Sequence, residues 1–258
     1  MARRRTPEHP THLRSAAMVD IRSGELVEPG SLLIIDDRIA EVSPTALPDG
    51  TVTIDLGDVT LLPGLMDMEV NLFLGGPDHA SPLTAVQEDP ATRTLRGVVN
   101  GKRTLRAGFT TVRNLGLFIQ TNGILLDVAL AKAIDRGWFE GPRVVSAGHA
   151  ICPTGGHLDP TMFQAFAPHV LPLTVEEGIA NGIDEVRKAV RYQIKHGAQV
   201  IKVCASGGVM SHTGPAGAQQ YSDEELAAIA DEAHRAGLKV AAHAHGDDGI
   251  RAALAAGF

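Results

Sequence analysis

The stretch Gln199-Val-Ile-Lys-Val-Cys-Ala-Ser-Gly-Gly-Val-Met-Ser211 decides the fold class. Its first half is a short apolar run, as in a buried strand of a parallel sheet, and its second half is a turn of small residues. Lys202 lies between Ile201 and Val203 on that strand. A buried ammonium group needs a partner or must lose its charge. Lys202 is therefore either half of a structural ion pair or a functional residue.

On both sides of this stretch, short apolar runs alternate with longer helical segments, a pattern that predicts βα units on a parallel sheet. We expect capping boxes to start helices at Thr174 with Glu177 and at Ser222 with Glu225. The predicted strands are 65–72, 110–115, 143–147, 200–205 and 240–245.

The N-terminal part has a different pattern of apolar and turn-forming residues. Residues 16–62 read as short strands separated by turn signals such as Asp36-Asp37, which predicts a small β domain. We expect residues 1–15 to form a flexible tail and residues 63–258 to form the domain that the βα units build.

Composition excludes several classes of function. The net charge of −7 argues against nucleic-acid binding, because the dense basic run at residues 3–5 is confined to the tail. No apolar run approaches the 18 or so residues that a membrane span needs. Cys152 and Cys204 are read as reduced thiols, and without a secretory leader pattern the expected location is cytoplasmic.

Three further motifs carry candidate functional side chains, two of them at strand ends and one in a loop. His243 and His245 in Lys239-Val-Ala-Ala-His-Ala-His-Gly246 share one face of a strand, and so do Glu69 and Asn71 in Leu61-Leu-Pro-Gly-Leu-Met-Asp-Met-Glu-Val-Asn-Leu72. The loop Pro153-Thr-Gly-Gly-His-Leu-Asp-Pro160 carries His157. A simple turn is the alternative interpretation of that loop.

In order and spacing these motifs resemble the amidohydrolase superfamily, in the branch of imidazolonepropionase-like proteins and Xaa-Pro dipeptidases. The resemblance implies an α/β fold with an incomplete (β/α)8 barrel of the TIM type, about five βα units long. A small β-sandwich-like unit would precede it. It also implies that the chain corresponds to a superfamily member truncated after its fifth barrel strand.

The resemblance implies a metal centre. Lys202 would be carboxylated by CO2 to a carbamate that bridges metal ions, and His243 would be a metal ligand. Glu69 and Asn71 stand where the family has His-x-His, so they become candidate ligands of an altered centre. Zinc is the expected divalent metal, as one or two ions, with manganese or another hard ion as the alternative that oxygen ligands favour.

The resemblance also assigns residues to the substrate. His157 would donate to the carbonyl oxygen as it becomes an oxyanion, and His245 would act beside it as a catalytic and substrate-binding residue. Arg113, followed by Asn114, would shape the pocket, and His212 would contact substrate.

The implied function is hydrolysis of an amide-type C–N bond by metal-activated water, impaired in a form that lacks the later strands. The bond would lie in a peptide-like, cyclic amide or N-acyl small molecule. The alternative is a non-catalytic, amidohydrolase-like binding module without a complete metal centre. The expected partner is a small-molecule substrate, with no nucleic acid and no membrane, and the chain is a candidate for homo-oligomer formation.

Overall fold

The structure, a computed structural model, describes residues 9–74, 88–161, 170–171, 173–211 and 214–258. The chain divides into two units, Met1–Gly64 and Leu65–Phe258. No helix in the described ranges is long and apolar enough to span a membrane.

The first unit contains two small sheets, with strand orders β5-β4-β1-β6 and β3-β2-β7. Apolar side chains of its outer strands stay in contact with solvent, since Ile39 is 60% exposed and Val52 is 51% exposed. The strands are β1 (Thr11–Ser15), β2 (Ala17–Val19), β3 (Leu26–Val27), β4 (Gly30–Ile35), β5 (Arg38–Val42), β6 (Val52–Asp55) and β7 (Thr60–Leu61).

Strand β1 lies in the stretch for which the sequence predicted a flexible tail. It pairs antiparallel with β4 and parallel with β6. His12 bonds Ser31 on β4, and Arg14 forms an ion pair with Asp55 on β6. Polar side chains of this stretch therefore link β1 to its two neighbouring strands.

The second unit is a mixed α/β structure. Its strands are β8 (Leu65–Val70), β9 (Phe109–Asn114), β10 (Arg143–Ser146), β11 (Ile201–Cys204) and β12 (Val240–His243). Its helices are α1 (Pro90–Arg106), α2 (Leu126–Asp135), α3 (Gly182–His196), α4 (Asp223–Arg235) and α5 (Gly246–Ala255). Each predicted strand of the second unit is present, and its observed bounds differ from the prediction by at most two residues at either end.

These strands run parallel in two groups, β8-β9-β10 and β11-β12. An isolated parallel bridge between Ile151 and Val203 joins the segment after β10 to β11. Because parallel strands end at the same edge of a sheet, side chains that close each strand come together there.

The two faces of β11 have different neighbours. Ile201 and Val203 belong to a core cluster with Val186 of α3 and Leu226 of α4. Side chains alternate across a strand, so Lys202 points to the opposite face, away from the helices.

The two predicted capping boxes differ in outcome. At Ser222 the box is complete, and α4 starts where the sequence placed it. At Thr174 the hydroxyl accepts the backbone N–H of Glu177, but only a short 3-10 helix, Val175–Glu177, follows. The Glu177 carboxylate turns away and accepts backbone N–H groups of Thr121 and Gly123. That second box is therefore incomplete.

Candidate active site

Lys202 is a buried lysine on β11, close to the carboxyl end of that strand. Its side chain is 2% exposed, and its Nζ lies 3.4 Å from Oε1 of Glu69. Glu69 is on β8, and its side chain is 62% exposed. A single long contact with a largely solvated carboxylate compensates little of the cost of burying an ammonium group. The ion pair alone therefore accounts poorly for Lys202.

His243 ends β12, the strand that pairs with β11. Its Nε2 lies 3.0 Å from the backbone carbonyl oxygen of Gly207. A carbonyl oxygen can only accept, so Nε2 carries the hydrogen. Burial is the main cause that lowers the pKa of His243, so the ring is neutral at pH 7 and Nδ1 keeps its lone pair.

His157 reaches the same place from the loop after β10. It is 8% exposed, and its ring centroid lies 3.9 Å from that of His243. Burial, followed by the neighbouring His243 and Lys202, lowers the pKa of His157 to about 4. His157 is thus a second neutral imidazole at the site.

Contacts with the segment after β11 fix His157. Its Nδ1 and the Oγ of Ser211 lie 2.7 Å apart, in a hydrogen bond whose direction depends on the ring tautomer. Its backbone N–H donates to Oε1 of Gln220 at 2.9 Å. One loop thereby carries the histidine and another loop holds it.

His245 lies at the outer rim of this cluster. Its ring centroid is 4.6 Å from that of His243, and the residue is exposed. Its backbone N–H donates to Oγ of Ser206 at 2.7 Å, directly before α5 begins. His245 is therefore the solvent-exposed member of this group of histidines.

The other predicted site residues are less central. Arg113 on β9 donates from Nε to the carbonyl oxygen of Met68 at 2.8 Å, which ties β9 to β8. Asn71 follows β8 and lines a small pocket together with Asn114 and Gly116. His212 lies outside the described residues.

The described part of the chain contains no group of three or more His, Cys, Asp or Glu side chains that could hold a metal ion. The donors that do converge are of mixed type: the imidazole of His243, the carboxylate of Glu69 and the amine of Lys202. A lysine becomes an oxygen ligand only after reaction with CO2, so this donor set fits a metal ion only in that modified form.

Three residues of this site were not predicted from the sequence. Gly207, Ser211 and Gln220 orient His243 and His157 through hydrogen bonds. The Gly-Gly pair signals a turn, but no sequence pattern shows which distant side chain packs on that turn.

A buried polar cluster lies near this site. His149 is fully buried, and its Nε2 lies 2.7 Å from Oγ1 of Thr121 and 3.6 Å from Oε2 of Glu177. Burial lowers the pKa of His149 to about 4 and raises the pKa of Glu177. The cluster joins the loops after β9 and β10.

Comparison with known proteins defines the class. Residues 60–258 match the sequence profile of the Amidohydrolase family. The chain belongs to this family, which confirms the resemblance seen in the sequence.

The chain is also similar to individual proteins. The chain is 39% identical over 210 residues to the ochratoxinase of Aspergillus niger, a match that covers 76% of this chain and 42% of the relative. The crystal structure of the A. niger ochratoxinase superposes with a TM-score of 0.79 at 32% identity, over 98% of this chain and 59% of that one.

The crystal structure of a Xaa-Pro dipeptidase with methionine bound in its active site superposes with a TM-score of 0.84 at 32% identity. That alignment covers 96% of this chain and 60% of the dipeptidase. The chain thus spans less than half of the length of the curated relative and about three fifths of each of these two solved structures.

Proposed function

We propose that this chain carries part of the active site of a metal-dependent amidohydrolase that cleaves an amide-type C–N bond in a small molecule. One observation carries the proposal. Lys202, His157 and His243, which come from three different segments, meet at the carboxyl edge of the parallel strands. Active sites of parallel βα folds form at that edge.

We also infer that the five parallel strands are units of a (β/α)8 barrel whose mouth is this edge. The chain order of the strands and their shared direction support this interpretation. The Met1–Gly64 unit is then the accessory β domain, in agreement with the division of the chain at that point.

The metal would be held by Nδ1 of His243, the carboxylate of Glu69 and Lys202 as its carbamate. A charge argument supports this set. Carboxylation changes Lys202 from a cation into an anion only a few ångströms from the carboxylate of Glu69. Two anions this close repel each other unless cations lie between them. When bound, a divalent ion such as zinc or manganese would lower the pKa of water and polarise the carbonyl of the substrate.

The chain's own residues would orient the substrate and stabilise developing charge. His157 is neutral at pH 7 and carries one N–H, which can bond the carbonyl oxygen of the substrate as negative charge grows on it. His245, exposed beside His243, would contact the part of the substrate nearest solvent.

The relatives indicate which substrates to test. One is an ochratoxinase, and another is a Xaa-Pro dipeptidase. We therefore expect activity on ochratoxin, on Xaa-Pro dipeptides or on other N-acyl small molecules. These candidates share an amide bond in a small molecule.

The test combines metal analysis with hydrolysis. The purified chain, loaded with zinc or manganese in the presence of bicarbonate, should bind metal and release amine from at least one of these substrates. The Lys202→Ala variant should lose both properties, whereas His234→Ala, an exposed histidine at the end of α4, should retain them.

Two outcomes would contradict the proposal. One is a folded chain that binds no metal under these conditions. The other is hydrolysis that persists in Lys202→Ala. Binding of an amide without turnover by the metal-loaded chain would instead assign the chain as a binding module.

A further inference from the structure

The loop that follows β11 forms the surface on which His157 packs. Three residues of this loop make the contacts: Gly208, Ser211 and Gln220. These three residues contact the ring or the backbone of a histidine that comes from the loop after β10. Contact at several points fixes the ring's position more strictly than one hydrogen bond could.

Gly208 supplies the space. A Cβ atom at position 208 would lie 2.2 Å from Nδ1 of His157, which is closer than real atoms approach. The ring therefore packs directly on the backbone of this loop. Any other residue at position 208 would displace it.

Ser211 supplies the polar contact. Its Oγ lies 2.7 Å from Nδ1 of His157. A neutral imidazole has one N–H and one lone pair, so the partner at Nδ1 decides what Nε2 does. If the hydroxyl donates, Nδ1 accepts and Nε2 carries the hydrogen. If Nδ1 donates, Nε2 is left with a lone pair and cannot donate to an oxyanion.

We propose that Ser211 is a positioning residue whose hydroxyl donates to Nδ1 of His157 and holds the ring as its Nε2–H tautomer. This inference rests on the proposed function, in which His157 must donate to the carbonyl oxygen of the substrate. The Nε2–H form is also the preferred tautomer of a free histidine side chain, so the serine reinforces an intrinsic preference.

The tautomer can be measured directly by NMR, without substrate or metal. Ring nitrogens of histidine are labelled with ¹⁵N, and long-range ¹H–¹⁵N spectra are recorded at pH 7.5. The signals of His157 are assigned by their loss in His157→Asn. We expect Nδ1 of His157 to show the shift of an unprotonated nitrogen and Nε2 that of a protonated one.

Variants identify the role of the hydroxyl. Ser211→Ala should move both ring nitrogen shifts part of the way towards those of exchanging tautomers, with Nε2–H still the major form. Ser211→Thr, which keeps a hydroxyl, should restore the single-tautomer shifts. Met210→Ala changes an exposed neighbour in the same loop and should leave the signature unchanged. Backbone amide spectra of all variants establish that each is folded.

An Nδ1–H tautomer in the unmodified chain would overturn the proposal, and so would an unchanged signature in folded Ser211→Ala. Failure of this inference is distinguishable from failure of the proposed function. A chain that binds no metal and hydrolyses nothing, yet shows the Nε2–H form as the single tautomer only when residue 211 has a hydroxyl, contradicts the proposed function alone.

Discussion

Nε2 of His243, at the end of β12, lies 3.0 Å from the carbonyl oxygen of Gly207, in the turn that follows the neighbouring strand β11. The turn of one strand thus sets the ring orientation of the histidine on the next. Metal-binding histidines typically donate their second ring N–H to a carbonyl or carboxylate in this way. The contact selects Nδ1 of His243 as the atom that would face a metal ion.

The first prediction concerns this ligand. His243→Ala should weaken zinc binding by more than about 100-fold, beyond the 10–100-fold typical of changes to residues that only support a ligand. Titration of the chain with zinc against a competing chelator measures the affinity. His234→Ala removes a histidine of the same type from an exposed position in the last turn of α4 and should keep the original affinity. Equal affinities in both variants would contradict the assignment.

The second prediction concerns Gly116, which has a φ of +90°. A Cβ at this position would lie 2.7 Å from Cβ of Ala150 and 3.0 Å from Cγ of Lys202. Gly116→Ala should therefore lower the free energy of unfolding for two reasons. Backbone strain should cost about 1 kcal/mol, and overpacking should cost a further amount of about 1–3 kcal/mol. Urea denaturation measures the change.

Gly137 provides the matched control for Gly116. Its φ is +70°, but nothing lies within 4 Å of a Cβ at that position. Gly137→Ala should show the backbone strain alone and leave metal binding unchanged. Two variants with the same loss of stability would mean that the space beside Lys202 does not restrict residue 116.

Local sequence patterns predicted the strands of the second unit and one of the two capping boxes. The alternation around Lys202, and the Ser222 and Glu225 pair, depend only on neighbours in the chain, and the structure reproduces both. Strand β1 was missed because its support comes from β4 and β6, whose pairing no local pattern reveals.

The sequence predicted only part of the candidate site, again because local patterns depend only on neighbours in the chain. Lys202 lies on β11 and His243 ends the neighbouring parallel strand β12, so the shared direction of the strands brings their side chains towards one edge. Ser211 and Gln220 lie in a loop, and their contacts with His157 span 54 and 63 positions of the chain. Such long-range loop contacts depend on tertiary packing and leave no periodic signal in the sequence.

The third prediction concerns pH and His149. Burial lowers the pKa of His149 from 6.5 to about 4, so between these values the unfolded chain binds a proton that the folded chain does not. Its contribution to stability is complete above pH 6.5 and declines as the pH falls to 4, by about 3 kcal/mol. The buried carboxyl of Asp127, whose pKa is raised to about 6, acts with the opposite sign.

The variant His149→Gln isolates this effect, because Asp127 and His157 remain in both proteins. Urea denaturation at pH 7, 6, 5 and 4 gives the free energy of unfolding of each. The unmodified chain should lose stability relative to the variant across this range. Parallel curves would contradict a neutral, buried His149.

The last prediction separates a functional from a structural Lys202. The side chain is 2% exposed, and its partner Glu69 is 62% exposed. Removing one member of a buried ion pair is usually costly because the other charge is left buried. Here the charge left behind faces water, and methionine fills similar space without a charge. Lys202→Met should therefore raise the free energy of unfolding of the metal-free chain by about 1–3 kcal/mol.

The same substitution should abolish metal binding, so that stability and function change in opposite directions. Urea denaturation and zinc titration of one preparation measure both. Lys195→Met, at an exposed position in the last turn of α3, should change the free energy of unfolding by less than about 0.5 kcal/mol and leave zinc binding intact. If Lys202→Met destabilises the metal-free chain instead, the ion pair with Glu69 is itself sufficient reason for a buried lysine on β11.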